Sequence, residues 1–334
     1  MLIHIAEPGE TAYGIAARYG VSPARLLADN GLSASDTLVV GQALLVLIPA
    51  GVYTVQPGDT LYSIANAAGT SVLALVQNNP YLTAADTLRP GEELVLRYTG
   101  GKRRTVCTTG YAYPSINRHV LYRALPYLSR LTVFGYGFTE AGELIGIDDA
   151  PLIEAARAFG AAPVMLLSSI TESGNFNSAR ASRLFNDAPL QATVLDNVLA
   201  AMREKGYAGL DIDFEYIDPA DREAFVAFVA AAAEKLSPYG YFVNTDLAPK
   251  TSAAQAGLLY EAHDYAALGA ASDTLFLMTY EWGYTYGPPM AVAPIDRVRR
   301  VADYAVSEID PAKLLLGIPN YGYDWKLPYE KGVT

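Results

Sequence analysis

Apolar and polar positions follow one rhythm over the N-terminal third of the chain and a different one beyond it. In the first stretch the pattern is written twice. Ala-Glu-Pro-Gly-Glu-Thr-Ala-Tyr-Gly-Ile-Ala at residues 6–16 returns as Val-Gln-Pro-Gly-Asp-Thr-Leu-Tyr-Ser-Ile-Ala at residues 55–65, a displacement of 49. Asp36-Thr37-Leu38 and Gly41-Gln42 return as Asp86-Thr87-Leu88 and Gly91-Glu92, a displacement of 50. Self-similarity at a fixed spacing marks a duplicated structural unit. Each copy opens with a short apolar run closed by Pro-Gly, which reads as a turn. Thr11 and Thr60 stand where a hydroxyl can cap a first helix, with Ile15-Ala16 and Ile64-Ala65 on its inner side. A second helix carries Leu26-Leu27 or Leu75-Val76 and stops at Asn30-Gly31 or Asn79-Pro80. Residues 44–47 and 94–96 read as closing strands. The predicted unit is βααβ, over residues 2–48 and 52–97, with Pro49-Ala50-Gly51 as the joint.

From Thr105 onward, strand-like apolar runs at 106–113, 131–138, 163–170, 208–216, 241–247, 274–280 and 313–319 alternate with helical stretches. The helices fall at 149–159, 179–205, 219–235 and 296–307. This alternation predicts an α/β domain over residues 105–334, with a parallel sheet covered by helices. A dinucleotide fold would need a Gly-x-Gly-x-x-Gly turn, and Gly135-Tyr136-Gly137 has no third glycine in place. The expected architecture is a (β/α)8 barrel. Seven strands are found, so the barrel is expected to lack its eighth and to leave strands one and seven unpaired.

Composition narrows the function classes. The net charge is −11 and the basic residues form no block, which argues against nucleic acid as a partner. Cys107 is the single cysteine, so no internal disulfide or Cys-cluster zinc site forms. His4, His119 and His263 are isolated, a poor supply for a metal centre or a serine-protease-like relay. The N-terminus shows no signal-peptide pattern, and no apolar run is long enough to span a membrane. No obligate protein partner is evident.

The most informative segment is Gly209-Leu210-Asp211-Ile212-Asp213-Phe214-Glu215. Strand alternation puts Asp211, Asp213 and Glu215 on one face and the apolar residues on the other. Like charges converging on a barrel interior are costly, and their repulsion raises carboxyl pKa values. Glu215 falls at the C-terminal end of its strand, where barrels place active sites, and a proton retained there suits a general acid. A Ca²⁺ or Mg²⁺ carboxylate cluster, or a solvated edge strand, is the other reading of the segment alone. Tyr280, followed by Glu281 and Trp282, ends a later strand, and Tyr321, Tyr323 and Trp325 follow the last one. Aromatic and phenolic groups at a barrel mouth suit sugar stacking and hydrogen bonding.

Taken together, these segments resemble two known families. Residues 2–97 resemble tandem LysM modules, which bind N-acetylglucosamine chains in peptidoglycan and chitin. That resemblance implies sugar contacts at Gly58, Asp59, Thr60, Leu61, Asn79 and Pro80. In the first copy Asn30-Gly31 departs from Asn-Pro and Ala12 replaces a bulky residue, so binding is expected chiefly from the second. From Val106 onward the chain resembles glycoside hydrolase family 18. The signature D-x-x-D-x-D-x-E falls on Ala208, Asp211, Asp213 and Glu215, without its first Asp, and M-x-Y falls on Met278 and Tyr280. Gly110-Tyr111-Ala112-Tyr113-Pro114, Ala248-Pro249-Lys250-Thr251 and His263-Asp264-Tyr265 resemble the LysM-bearing branch that acts on spore cortex peptidoglycan.

The resemblance implies a substrate-assisted, retaining glycosidase that needs no cofactor or metal. Glu215 would be acid and base, Asp213 and Asp211 its supporting carboxyls, and Tyr280 a donor to the acetamido oxygen. Tyr111, Glu281, Trp282 and Tyr323 would contact sugar. It also implies a place in the spore cortex, coat or cell wall. A chitinase-like hydrolase and a non-catalytic carbohydrate-binding protein stay open as alternatives.

Overall fold

The computed structural model describes residues 2–82, 87–100 and 104–334, and Asp86 of the repeat falls outside them. The chain divides into two compact units. One comprises Met1–Thr108 with Ile116–Leu128, and the other Thr109–Ser115 with Ser129–Thr334.

In the first unit each repeat folds as predicted. The first copy runs β1 (Leu2–Ile5), α1 (Ala12–Tyr19), α2 (Pro23–Asp29) and β2 (Ala43–Val46). The second runs β3 (Pro49–Thr54), α3 (Leu61–Ala67), α4 (Val72–Asn78) and β4 (Glu93–Tyr98). Both strand pairs are antiparallel. Thr11 caps α1 by accepting from Gly14 N, and Thr60 with Ser63 forms a reciprocal capping box on α3. The cores match position for position: Ile15, Ala16, Leu26 and Leu44 in one, Ile64, Ala65, Leu75 and Leu94 in the other. Residues 49–51 are not a joint. They form the first half of β3, where Pro49 pairs with Tyr98 and a bulge at Gly51 absorbs the extra residue. Proline is tolerated there because a two-stranded ribbon leaves its N–H side unpaired.

A helix that the periodicity did not predict, α5 (Arg118–Ala124), belongs to this same unit. Asn117 caps it, and the single turn that follows meets α4, where Gln77 Nε2 donates to Pro126 O at 2.6 Å.

The second unit is an α/β layer. Its elements are β5 (Thr109–Ala112), β6 (Arg130–Phe138), β7 (Leu144–Ile145), α6 (Ala150–Ala158), β8 (Ala162–Ser168), α7 (Ser178–Asn186), α8 (Ala188–Lys205) and β9 (Gly209–Asp213). They continue with α9 (Arg222–Leu236), β10 (Phe242–Leu247), α10 (Tyr265–Ala271), β11 (Thr274–Leu277), α11 (Ile295–Glu308) and β12 (Leu314–Leu316). Seven strands lie parallel in the order β5-β6-β8-β9-β10-β11-β12, and β7 adds a short antiparallel arm to β6. Among the described residues this is a curled sheet of βα units with seven parallel strands. Among the described residues β5 and β12 are the two ends of the sheet and do not pair with one another.

The helix expected over 179–205 is two helices. Asp187 ends α7 and its side chain accepts from Leu190 N to cap α8, with Pro189 in the first turn. The apolar periodicity runs through this break and concealed it. Behind β9 an aromatic cluster fills the space under the helices: Phe214 lies 5.3 Å from Phe185 and 5.9 Å from Phe228 between ring centroids. Leu210, Ile212 and Phe214 are all fully buried on that side. Burying each such side chain contributes about 1.5–3 kcal/mol, which pins the register of the strand and aims its acidic residues inward.

Candidate active site

Regular β9 ends at Asp213, three residues before the end of the run predicted over 208–216, yet the inward and outward alternation of side chains holds through Phe214. Asp211 and Asp213 are buried, and Glu215 is half-buried at the rim. Directly after Glu215 the backbone turns: Tyr216 takes φ 54°, a left-handed conformation that non-glycine residues adopt at a cost. Glu281, after Tyr280, does the same at φ 66°. The two strained residues thus adjoin the acid and the phenol that the family motifs single out.

Asp211 is the best-held of the three. Its Oδ1 accepts from Asn244 Nδ2 at 2.6 Å, and its Oδ2 lies 2.8 Å from Tyr111 Oη and 3.3 Å from Thr132 Oγ1. Burial raises its pKa and these donors pull it back. Asp213 has no such help. Its Oδ1 is buried without a hydrogen-bond partner among the described residues, while Ser168 Oγ donates to its backbone carbonyl. Burial, then the charges of Glu215 and Asp211, push its pKa well above the ordinary carboxylate range. Glu215 is raised too, first by burial and then by the charge of Glu281. A stack of carboxyls with unequal environments has its pKa values pushed apart, an arrangement suited to acid–base chemistry.

A fourth carboxyl joins them that the sequence reading did not single out. Asp246 on β10 is buried, 3.1 Å from Tyr111 Oη and 3.0 Å from Asn244 Nδ2. Burial and the charges of Asp211 and Asp213 hold its pKa well above normal. Its signal was available: Asn244 and Asp246 sit two apart on a strand, so both face the interior beside β9.

Tyr280 faces the same group. Its hydroxyl is kept protonated by burial and by Asp246, Asp213 and Glu215 nearby. Tyr111 likewise keeps its proton and is a ligand of the carboxyls, a role different from the sugar contact expected of it. Glu281 is also engaged within the protein: Tyr321 Oη lies 2.5 Å from its Oε1, and Tyr323 Oη lies 3.0 Å from both oxygens. Tyr323 in turn packs on Trp325 at 5.9 Å. Trp282 is partly buried and its backbone N–H donates to Val292 O. Of the two other motif segments, Ala248 N donates to His263 Nδ1 and Lys250 Nζ to His263 O, so they brace the loop after β10.

In the second LysM copy the predicted contacts separate into two kinds. The side chain of Asn79 is fully buried and spent on the fold: its amide donates to Leu75 O and Val95 O and accepts from Val95 N. Leu61 lies in the core. Neither side chain is presented to the surface, since Asn79 is fully enclosed and Leu61 faces the apolar interior. Asp59 locks the turn by accepting from Tyr53 Oη and Gln56 N, and Thr60 is the helix cap. Gly58, at φ 89°, is exposed and needs the freedom of glycine to make the turn, and Pro80 is partly exposed. Asn30 of the first copy repeats the role of Asn79, bonding Leu26 O, Leu45 O and Leu45 N. The departure at Gly31 therefore leaves this brace intact.

Comparison with known proteins agrees with both resemblances. Residues 163–333 match the family described as glycosyl hydrolases family 18, and residues 4–46 and 53–97 match the LysM domain. The chain is 36% identical over 331 residues to the cortical fragment-lytic enzyme of Bacillus anthracis, covering 97% of this chain and 76% of that protein. It is 32% identical to the putative sporulation-specific glycosylase YdhD of Bacillus subtilis, covering 100% and 78%. Among solved structures, the spore cortex-lytic enzyme SleL of Bacillus cereus superposes with a TM-score of 0.77 at 35% identity, over 99% of this chain and 77% of that one. The chain belongs to glycosyl hydrolases family 18, as a LysM-bearing glycosidase.

Proposed function

We propose that this protein hydrolyses N-acetylglucosamine-containing peptidoglycan of the spore cortex, with the substrate's own acetamido group as the internal nucleophile. The observation that carries the reading is the buried, unpartnered Oδ1 of Asp213 between a well-held Asp211 and a Glu215 whose pKa burial raises. A buried acceptor left open in the protein has a natural partner in a substrate N–H. Asp213 would hold the acetamido N–H and favour closure of its oxygen onto the anomeric carbon. Tyr280 would donate to that oxygen and align it. Glu215 would protonate the leaving oxygen, then take a proton from the water that opens the oxazolinium ion. Such substrate assistance is how this family departs from the two-carboxylate mechanism of most glycosidases. The names of the relatives point to the cortex as the polymer. The LysM copies would hold the glycan through the turn at Gly58 and Asp59 and through Pro80, with Thr60 shaping the turn.

Purified spore cortex, vegetative peptidoglycan and chitin, each digested and analysed by mass spectrometry for new reducing ends, test the substrate. The expected result is N-acetylglucosamine ends released fastest from cortex. Faster release from chitin would favour the chitinase-like reading.

A further inference from the structure

The hydrogen bonds around Asp211 require more hydrogens than the visible donors can supply. Tyr111 Oη lies within hydrogen-bond distance of both Asp211 Oδ2 and Asp246 Oδ1, at 2.8 and 3.1 Å. Asn244 Nδ2 also reaches both carboxyls, at 2.6 and 3.0 Å. The amide is held in that orientation from below, because its Oδ1 accepts from Thr274 Oγ1, which Arg130 Nη1 approaches at 3.2 Å. The amide supplies two hydrogens and the phenol one. Four short contacts therefore share three hydrogens, and a fourth must sit on a carboxyl.

The donors decide which carboxyl that is. Asp211 receives Asn244, Tyr111 and Thr132, so of the two carboxyls it is the one better stabilised as the anion. Asp246 Oδ1 has only the same-strand amide as a clear donor. A proton on Asp246 gives every contact its own hydrogen: Asp246 O–H donates to Tyr111 Oη, and Tyr111 O–H donates to Asp211. The motif position Ala208 brings no carboxyl to this cluster. Asp246, one strand over, does.

We propose that Asp246 is a positioning residue of this site, a neutral acid that donates through Tyr111 to hold Asp211 as the single anion beneath Asp213. The inference deepens the proposed function and rests on it. The buried position of Asp246 and its raised pKa agree with the neutral form. The other titratable groups around it are Asp213 and Tyr280. A second anion in this column would oppose the ionisation of Asp213 that a cationic oxazolinium needs. Polarised chains of donors strengthen one another, so Asp246 also makes Tyr111 the better donor.

Asp246→Asn keeps the shape and a donor, whereas Asp246→Ala removes the donor. The infrared spectrum of the full chain at neutral pH should lose one protonated-carboxyl band in Asp246→Asn and keep it in a control such as Glu154→Gln, which removes an exposed carboxyl. In turnover, Asp246→Asn should keep kcat within about threefold, and Asp246→Ala should lose at least about tenfold in kcat with KM within about twofold. An unchanged band in Asp246→Asn overturns the proposal, since Asp246 would then be ionised. So does an Asn variant as impaired as the Ala variant, or an Ala variant that loses only thermal stability. Glu215→Gln, measured in parallel, reports on the function itself: continued cleavage there would sink that reading while the infrared difference still decides Asp246.

Discussion

The second LysM copy and the centre of the parallel sheet both bury polar side chains, and they treat them in opposite ways. Asn79 makes three hydrogen bonds to backbone groups of Leu75 and Val95 and leaves its amide fully satisfied. Asp213, equally enclosed, keeps a carboxyl oxygen with no partner and sits among Asp211, Asp246 and Glu215. The first arrangement stabilises the fold. The second costs stability, and a fold retains such a cost where chemistry uses it. A buried polar residue is thus read by what satisfies it: backbone partners mark architecture, and an open valence among like charges marks a reaction site.

The largest effect should come from Glu215→Gln. The amide keeps the shape and loses the titrating proton, so hydrolysis should fall by about 10²–10⁴-fold while the melting temperature and glycan binding hold. Residual cleavage above a tenth of the parent rate would break the assignment of that residue. On the other side of the comparison, Asn79→Ala should cost at least about 2 kcal/mol of stability in the first unit, because three backbone groups lose their partner inside an apolar core. Turnover of a soluble oligosaccharide should be untouched. A stable Asn79→Ala protein that simply binds glycan less well would return Asn79 to the sugar site.

Asp213→Asn should behave in the reverse manner, losing activity and gaining stability with a definite pH dependence. Asp213 and Asp246 bind protons more tightly in the folded chain than at their ordinary value of 3.8. Stability from such groups is complete below 3.8 and is lost as pH rises through the raised folded value. The melting temperature of Asp213→Asn should therefore approach that of the parent in acid and exceed it increasingly toward neutral pH. Parallel curves would mean that Asp213 is not held protonated. The smallest effect is expected from Glu281→Gln. Removing that charge lowers the pKa of Glu215, so the alkaline limb of kcat/KM should move to lower pH, as pH–rate profiles would show.

Much of this was legible in the residues themselves. The repeat at 6–16 and 55–65, the seven parallel strands and the inward face of Asp211, Asp213 and Glu215 follow from periodicity, which core packing enforces. What escaped did so for physical reasons. The one sequence signal of Asp246 is its two-residue spacing from Asn244, too short a pattern to stand out by itself, and its partners Tyr111 and Asp211 are 135 and 35 residues away in sequence. Asp187-Ala188-Pro189 is a helix start by its capping residue, but the apolar stripe on either side continues in phase. Pro49-Ala50-Gly51 has the composition of a turn and becomes an edge strand because β4 offers it a partner. Asn79 matches a family motif, and only the fold shows that its side chain points inward.

The central claim is that Asp213 and Tyr280 serve the acetamido group of the substrate. Two oligosaccharides that differ only in N-acetylation of the sugar at the cleaved bond test it directly, with initial rates measured on the parent enzyme. The account predicts that the deacetylated compound is cleaved at least about 10²-fold more slowly, since it has no internal nucleophile to position. Cleavage of both at comparable rates would show that the nucleophile is a protein carboxylate or water, and would contradict the account.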